Sequence, residues 1–355
     1  MTRSVLQGVR VYRDDAFGAP EDVVIDGEVI GSQALGAQEV ASGGYLIPGL
    51  IDCHVHLSGP ETLERLSAYG VTTGLDMSSP ARLVAALRGS PGVTDIRSPL
   101  MAATSPASAH AERMKAIPAA REALVRGPSD AAGWVDAHME QGADYIKIVI
   151  DLPGFDQATV DALVDASHRR GLMVVAHASR HAAVDMAQRA GVDVLTHAPL
   201  DRSIEAAQAA ELVAAGAVIV PTLTMMQRIV DRLAAAGIPG PDYAPAQASV
   251  TALHAAGMPI LAGTDANETP AAPASPPFGS SLHDELPLLV AAGLTPVEAL
   301  NAATSVAARH FGLADRGRIA PGLRADLVLL DHDPTVDIAA TRSIRGVWCA
   351  GIRRV

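Results

Sequence analysis

The feature that most constrains the fold of this sequence is an alternation of apolar, strand-like runs with alanine-rich helical stretches. Eight runs have the length and composition of buried strands: LIPGLIDCHVHL, VTTGLDM, IRSPLMAA, YIKIVI, LMVVAHA, DVLTHAP, AVIVPTL and MPILAGTDA. Stretches such as ETLERLSAYG and AAVDMAQRAG lie between them and end in glycine, a common helix stop. This α/β alternation predicts a (β/α)8 TIM barrel, which we place at residues 49–317.

A doubly wound open sheet is the structural alternative for the same alternation. Its dinucleotide-binding version requires a G-x-G-x-x-G turn directly after a strand. No strand of this sequence is followed by such a turn. We therefore favour the barrel, and a dehydrogenase is a poor functional candidate.

The two ends of the chain differ from the middle. Residues 1–48 and 318–355 contain short β-type runs with glycine and aspartate between them and no long helical period. Since a small isolated sheet is only marginally stable, we expect both ends to pack together as one small β-sandwich domain. The proline-rich stretch 269–279, after the eighth strand, predicts a loop, for which a lid over the strand ends is a candidate role that stays open.

Composition and net charge limit the classes of molecule that this protein is expected to bind. Apolar residues make up 49% of the 355-residue chain, enough for a sizeable core, and the net charge of −12 argues against nucleic acid and anionic membranes. Neither a signal-peptide pattern nor an apolar run of membrane-spanning length is present. Two cysteines, Cys53 and Cys349, do not make a disulfide framework. We expect a cytoplasmic protein with a small-molecule substrate, and a homo-oligomer stays open.

His54 and His56 lie two residues apart in IDCHVHL, at the end of the first predicted barrel strand. Side chains alternate between the faces of a strand, so both imidazoles point the same way and can bind one metal ion. Alone, this pair is equally well explained as two ordinary polar residues at a strand end. We interpret Cys53, between them, as buried packing.

Lys147 stands in the middle of the apolar run YIKIVI. Of 27 basic residues only two are lysines, Lys115 and Lys147, so its placement needs a reason. A lysine at a sheet edge whose ammonium reaches water is one explanation. The other is chemical, because a buried lysine loses its proton readily and arginine does not.

His177, His197 and Asp265 each end a predicted barrel strand, where the active-site residues of barrel enzymes lie. Each has an ordinary explanation by itself, such as a helix cap for Asp265. Together with the first-strand histidines and the lysine they predict a metal site. Imidazole and carboxylate donors suit zinc, iron, nickel or manganese better than magnesium or calcium. Two such ions sharing ligands would lie about 3.5–4 Å apart and polarise one water.

The order P-G-L-I-D-x-H-x-H (48–56), then Lys147, His177, His197 and Asp265, resembles the amidohydrolase superfamily. More narrowly, it is similar to the branch of imidazolonepropionase-like and prolidase-like metal-dependent hydrolases. VVIDGEVIG near the start, and LHDELPLLVAAGLTPVEALNAAT and RGRIAPGLRADLVLLDHDP near the end, extend the resemblance over most of the chain.

The resemblance implies a binuclear centre of two divalent transition-metal ions, with zinc as the expected metal. On that pattern the first-strand histidines and Asp265 hold one ion, and His177 and His197 hold the other. Lys147, carboxylated by CO₂, bridges both as a carbamate. A hydroxide between the metals attacks the substrate carbonyl, and Asp265 takes its proton and then delivers a proton to the leaving group. Imidazolonepropionases with one metal lack a lysine at this place, so Lys147 favours the binuclear type.

Two departures from the family pattern concern the substrate. A Gly-rich segment after the lysine is replaced by IVIDLPGF, and a Gly-Gly-His after the third strand by ATSPASAH. His110 is a candidate for that substrate-contacting histidine. Other candidate contacts are Arg180 after the fifth strand, and Met225 and Arg228 after the seventh. We expect His283 and Glu285 to help structure the loop beyond Asp265.

The function predicted from these residues is hydrolysis of an amide-type C–N bond in a small molecule, a cyclic amide or a peptide derivative. A lactone, ester or carbamate hydrolase with the same site is the alternative. A non-catalytic binding protein that keeps the amidohydrolase fold is a third reading, and the complete set of six ligand positions argues against it.

Overall fold

The computed structural model describes residues 3–269 and 272–355. The strands in these residues are β1 Ser4–Arg13, β2 Ala16–Phe17, β3 Glu21–Asp26, β4 Val29–Gly31, β5 Gln38–Ser42, β6 Tyr45–Pro48, β7 Leu50–Val55, β8 Val71–Asp76, β9 Asp95–Arg97, β10 Ile146–Val149, β11 Val174–His177, β12 Val194–Thr196, β13 Val218–Val220, β14 Leu327–Leu330, β15 Ile344–Cys349 and β16 Ile352–Arg353.

Twelve α-helices lie in the same part of the chain. They are α1 Pro60–Ala68, α2 Ala81–Leu87, α3 Ala109–Met114, α4 Pro128–Glu140, α5 Gln157–His168, α6 His181–Ala190, α7 Ala206–Ala214, α8 Leu223–Ala235, α9 Ala244–Ala255, α10 Leu282–Ala291, α11 Pro296–Ala302 and α12 Ser305–His310. Two 3₁₀ helices span Pro118–Arg121 and Ile338–Arg342. Stretch 295–312 contains two separate helices, α11 and α12.

Strands from both ends of the chain share one sheet, in the order β16-β15-β14-β6-β1-β3-β4, with β2 and β5 also paired to β1. The long strand β1 changes register between Leu6 and Val9, where Gly8 has a positive φ of 59°. Its first half pairs with β3 and β5, and its second half with β2 and β6. Because β1 pairs with strands on both sides of the register change, the sheet is continuous. The finer prediction of a β-sandwich is not confirmed in detail.

The middle of the chain contains two parallel sheets, β7-β8-β9 and β10-β11-β12-β13. Ala103 joins them, since its N–H donates to the Lys147 carbonyl at 2.8 Å and its carbonyl accepts from Val149 at 2.9 Å. On the other side segment 258–266 bonds to β13 through the Leu261 N–H and to β7 through the Cys53 N–H. The ring of parallel strands is thereby closed, which is consistent with the predicted barrel.

Segment 258–266, the eighth predicted strand, forms isolated bridges rather than a continuous ladder. Two of its residues explain this. Asp265 has a left-handed backbone with φ 58°, which an extended strand does not accommodate. At Gly263 a Cβ would lie 2.4 Å from a Val220 methyl and 2.9 Å from the His54 nitrogen, so the segment approaches β7 and β13 too closely for a side chain.

Apolar side chains of the barrel strands form a cluster that includes Ile51, Leu75, Val175, Val218 and Leu261. A larger cluster lies between the strands and the helices around them. The sheet from the chain ends has its own cluster around Leu46, Leu327 and Trp348. Among the residues the structure describes, no helix is long and apolar enough to cross a membrane.

Candidate metal centre

The first-strand histidines face one carboxylate. His54 Nε2 lies 3.4 Å and His56 Nε2 3.0 Å from Asp265 Oδ1. His54 is buried, whereas the His56 side chain is 27% exposed and reaches the opening of the site. Cys53 between them is fully buried in the apolar cluster inside the barrel, where we expected it to be packing.

Lys147 lies inside the barrel on β10, with 3% of its surface exposed. Its Nζ donates to Thr196 Oγ1 at 2.6 Å. Burial disfavours the ammonium form and lowers the pKa of Lys147 to about 7, although the negative charge of Asp265 acts in the opposite direction. A large fraction of this lysine is therefore a free amine near neutral pH, unlike an exposed lysine.

His177 ends β11 and His197 follows β12, so the two imidazoles are neighbours. His197 Nε2 lies 2.8 Å from His177 Nδ1, and the His197 ring centroid is 4.9 Å from that of His54. Burial is the main cause that lowers the pKa of all three histidines well below the ordinary value, and the charge of Lys147 adds to it. Neutral imidazoles offer a lone pair to a metal ion.

His56 differs from the other three histidines. Burial lowers its pKa, but the hydrogen bond to Asp265 and the negative charge of that carboxylate outweigh burial, so its pKa is raised overall. Asp265 therefore raises the pKa of the imidazole on one side, while the imidazoles on its other side have lowered pKa values. Its left-handed backbone is held in part by its N–H, which donates to the His54 carbonyl at 2.8 Å.

The donor set fits a transition metal. One ligand atom each from His54, His197 and Asp265 lies within 4.8 Å of the others, and all three residues are buried. Ligand atoms that share one ion lie about 4 Å apart or less, so small side-chain movements bring them into range. His54 Nδ1 is buried without a hydrogen-bond partner among the described residues. Such a cluster of buried neutral donors is costly without an occupant.

A cavity of about 240 Å³, which we call the inner chamber, opens above these six ligand candidates. His110 and Met225, two predicted substrate contacts, line it. Arg180 and Arg228 do not: Arg180 is exposed at the start of α6, and Arg228 Nη2 lies 3.6 Å from Asp284 Oδ2. Their role in substrate binding stays a prediction.

Three residues of the predicted lid, Thr269, Ala272 and Pro273, also line the inner chamber. Residues 270 and 271 lie outside the described residues, so the predicted lid is only partly visible. The described part is attached to α8, because Arg232 Nη1 donates to the carbonyls of Ala272 and Pro273. Lid function stays a prediction.

Several residues that support the ligands were missed from the sequence. The Asp52 carboxylate accepts from the His54 N–H at 3.1 Å and from Thr264 N–H and Oγ1 at 3.0 and 2.7 Å. Burial raises the pKa of Asp52 to about 7 despite these bonds. Asp52 therefore ties β7 to the segment that carries Asp265. Its place two residues before His54 was the available signal.

Thr222 is a second missed residue. Its Oγ1 lies 2.6 Å from His197 Nδ1, and it has a left-handed backbone with φ 50° directly before α8. Glu285 accepts from the N–H groups of Leu223 and Thr224 at 2.9 and 2.7 Å, so it holds the start of α8 beside Thr222. We expected Glu285 to structure the loop beyond Asp265, and this was wrong because its carboxylate caps α8 instead.

His283, expected to act with Glu285, also lies elsewhere. Its Nδ1 is 2.9 Å from Thr341 Oγ1 and its Nε2 is 2.9 Å from the Tyr69 carbonyl. His283 therefore connects α10 to the end of α1 and to the chain's C-terminal part.

On the β8 side, Asp76 is another buried carboxylate that the sequence pattern did not reveal. It accepts from Ser98 Oγ at 2.5 Å and from Ser79 Oγ at 2.7 Å.

Known proteins share this sequence pattern. The sequence profile of the amidohydrolase family matches residues 45–353, most of the chain. Imidazolonepropionase from Deinococcus deserti is 30% identical over 239 residues, which cover 66% of this chain and 54% of that protein. Imidazolonepropionase from Streptomyces coelicolor is 30% identical over 317 residues, covering 84% and 67%. The chain thus spans about half to two thirds of these relatives.

Solved structures share the fold. A Xaa-Pro dipeptidase with bound methionine in its active site superposes with a TM-score of 0.84 at 20% identity, over 99% of both chains. Molinate hydrolase superposes with a TM-score of 0.81 at 19% identity, over 99% of this chain and 94% of that one. With the family match over most of its length, and the ligand order that predicted it, the chain belongs to the amidohydrolase family.

Proposed function

We propose that this chain is a metal-dependent hydrolase that cleaves an amide-type C–N bond in a small molecule, a cyclic amide or a peptide derivative. One observation carries the proposal. Six side chains from five different β segments reach one 240 Å³ cavity, and all six are types that bind transition metals or become such ligands: His54, His56, Lys147, His177, His197 and Asp265. The relatives named imidazolonepropionase support the choice of a C–N bond.

The residues divide into two groups for two metal ions, for which zinc is our expectation. We assign the first-strand histidines and Asp265 to one ion and His177 and His197 to the other, and His197 lies close enough to His54 and Asp265 for the two ions to be neighbours. Lys147 lines the same cavity and is the candidate bridge. When bound, two divalent ions would polarise the substrate carbonyl and lower the pKa of a water molecule between them.

Lys147 reaches its bridging form by a reaction with CO₂. The free amine nitrogen forms a bond to the CO₂ carbon and loses a proton, which gives a carbamate. The low pKa of about 7 supplies the free amine, and the reaction replaces a cation beside the metal site with an anion. Thr196, 2.6 Å from Nζ in the unmodified side chain, is a hydrogen-bond partner for the product.

Asp265 is the proposed general base and acid. Its Oδ1 is the atom that both first-strand histidines face, so the carboxylate is fixed at the floor of the inner chamber. From there it takes a proton from the attacking water and returns one to the leaving nitrogen. The pKa values of His54, His177 and His197 are lowered, whereas the pKa of His56, which contacts this carboxylate, is raised.

Wider predictions accompany this function. The division into a barrel at residues 49–317 and a terminal domain at 1–48 and 318–355 is supported by β6 and β7, which belong to different sheets. We propose a (β/α)8 barrel with a smaller β domain, a cytoplasmic location and a small-molecule substrate. Homo-oligomer formation remains a prediction.

The test uses matched acyl substrates. Protein reconstituted with zinc and bicarbonate is given N-acyl amino acids, cyclic imides, lactones and esters, and Asp265→Asn is the control for contaminating hydrolases. Turnover of amides that disappears in the variant and after chelation supports the proposal. Turnover of lactones or esters alone supports the alternative class, and metal binding without any turnover supports the non-catalytic reading.

A further inference from the structure

Arg113 is a cationic side chain at the inner chamber that the proposed chemistry does not use. It is the one arginine among the described residues that line this chamber. Two charged residues near it in the chain form an ion pair with each other, since Lys115 Nζ lies 3.0 Å from Glu112 Oε1. No carboxylate in residues 3–269 or 272–355 forms an ion pair with Arg113. An arginine in this position offers a planar set of donors to an anion.

The charge of Arg113 acts inside the chamber. Burial, and then the guanidinium of Arg113, lower the pKa of His110 to about 4. His110 lines the chamber and its N–H donates to Asp151 Oδ2 at 3.2 Å. The side chain of Arg113 is thus close enough to influence groups around the site while its own surface is exposed. This local positive charge contrasts with the chain's net charge of −12.

Methionines form much of the remaining wall of the inner chamber: Met77, Met101, Met114 and Met225. Met77, Met101 and Met225 are buried. Unbranched thioether side chains adapt to apolar groups of different shapes. The chamber therefore combines a polar floor with apolar, adaptable walls and a cation.

A second cavity of about 590 Å³ adjoins the first, and we call it the outer chamber. The two chambers share six wall residues: Ser78, Met101, Ala102, His110, Met114 and Ile117. Helix α3 and the 3₁₀ helix Pro118–Arg121 form much of its wall, in which Glu112, Lys115 and Arg121 lie beside apolar residues such as Ala120. Its volume is more than twice that of the inner chamber.

We propose that Arg113 and the outer chamber determine the substrate class: amides that carry a carboxylate near the scissile bond and an extended apolar substituent. The carboxylate binds Arg113, the scissile amide lies over the ligand candidates, and the apolar substituent passes the methionines into the outer chamber. This inference rests on the proposed hydrolase function, and it adds a specificity-determining residue and a subsite.

The carboxylate is tested with two amides that differ only in that group, racemic N-hexanoyl-leucine and N-hexanoyl-3-methylbutylamine. Wild-type, metal-loaded protein should hydrolyse the acid with the higher kcat/KM. Arg113→Met should lower kcat/KM for the acid about 10- to 100-fold, mainly through KM, so that the preference of the wild type for the acid over the neutral amide is lost. Arg113→Lys should retain part of the difference. Arg126→Met, an exposed arginine that lines neither chamber, is the matched control and should change neither value.

The outer chamber is tested with substituents of graded length, in the acyl half and in the side chain of the amine half. In wild type, kcat/KM should rise with length in one of the two halves. Ala120→Phe, which fills the outer chamber without removing a polar group, should abolish that rise and spare the shortest substrate. No length dependence in either half would overturn the subsite.

The possible failures are distinguishable. Equal turnover of acid and neutral amide, with no effect of Arg113→Met, overturns the inference and leaves the hydrolase function standing. Turnover of other amides but of neither leucine derivative also overturns it. If metal-loaded protein hydrolyses none of these amides and no other amide, the proposed function itself has failed.

Discussion

Charged and titratable groups are buried at both ends of the barrel strands, and the two clusters are built differently. Near the amino ends of β8 and β9, Arg316 donates to Thr73 Oγ1 at 2.9 Å, to Asp95 Oδ2 at 2.8 Å and to both oxygens of Asp315. Asp326 is close to the same guanidinium at 3.9 Å and accepts from Arg324 at 2.9 Å. Every charge in this amino-end cluster has an opposite partner.

The cluster at the carboxyl ends, formed by the six ligand candidates, holds one carboxylate for four imidazoles and a lysine. The pKa values of Lys147, His54, His177 and His197 are lowered, which favours neutral bases, whereas the pKa of Asp95 is lowered because Arg316 and Arg97 outweigh burial. Breaking a buried ion pair leaves a charge uncompensated, whereas neutral imidazoles and an amine are ready to bind an ion. The comparison thus separates a structural cluster from a functional one, and substitutions in each should have opposite effects.

The largest effect is expected for Asp265→Asn in the carboxyl-end cluster. Turnover should fall about 10²–10⁴-fold, because the amide cannot take the proton of the attacking water. The free energy of unfolding should change little, since His56 and Lys147, the two bases that Asp265 stabilises in charged form, can each lose their proton. Steady-state kinetics at full metal load, with a parallel denaturation curve, checks both. Near-wild-type turnover would mean that another group moves the proton.

Arg316→Met should do the reverse. Removing this buried guanidinium takes one of two arginine partners from Asp95 and leaves Asp315 and the Thr73 hydroxyl without theirs, which costs about 3 kcal/mol of unfolding free energy. The kcat of the folded protein should be retained. Arg88→Met is the matched control. The Arg88 side chain in the Arg88–Asp144 ion pair is 36% exposed, so the loss of this pair should lower the unfolding free energy by less than about 1 kcal/mol. Equal losses in both variants would remove the distinction between the clusters.

The sequence predicted the ligand candidates better than their supports. His177 and His197 could be found because the carboxyl ends of parallel strands meet on one face of the barrel, so position along the strand gives position in space. Thr222 and Glu285 could not, because their contacts depend on a left-handed turn and on a helix 60 residues later in the chain. Arg113 was missed since α3 has only six residues and no apolar face.

The same reasoning explains the fold-level differences. Seven of the eight predicted barrel strands form ladders, but the segment with Asp265 departs from a regular strand because its close approach and positive φ are tertiary constraints. Strands from both ends were predicted to join, and they do. That β1 links both halves into one sheet depends on a register change at Gly8, which alternation alone does not locate.

A smaller effect is expected for Thr222→Val, which removes the hydroxyl beside His197 Nδ1. A hydrogen bond of this kind fixes the orientation of a ligand imidazole, and its loss typically weakens metal binding about 10- to 100-fold. Thr222→Ser keeps the hydroxyl and serves as the control. Competition with a chromogenic chelator measures the change. Unaltered affinity in the valine variant would show that Thr222 does not position His197.

A further effect is a pH slope from Lys147. The folded protein releases this proton near pH 7, and the unfolded chain near the ordinary value of 10.5. Between these values the unfolded state binds more protons, so the unfolding free energy rises with pH. The Lys147→Met variant has no such proton. Any excess of its unfolding free energy over that of the wild type should therefore shrink as the pH rises between these two pKa values. Denaturation of chelated protein in CO₂-free buffer at about pH 7.5 and about pH 9.5 tests the slope; a constant difference would contradict it.

The most direct test of the central claim is the metal content of active protein. Purified without chelator, then titrated with zinc in the presence of bicarbonate, the chain should reach maximal amide hydrolysis at about two ions per chain. Elemental analysis gives the stoichiometry, and activity is followed on the same samples. Full activity with one ion, or with none, would contradict the binuclear site formed by the carboxyl-end cluster.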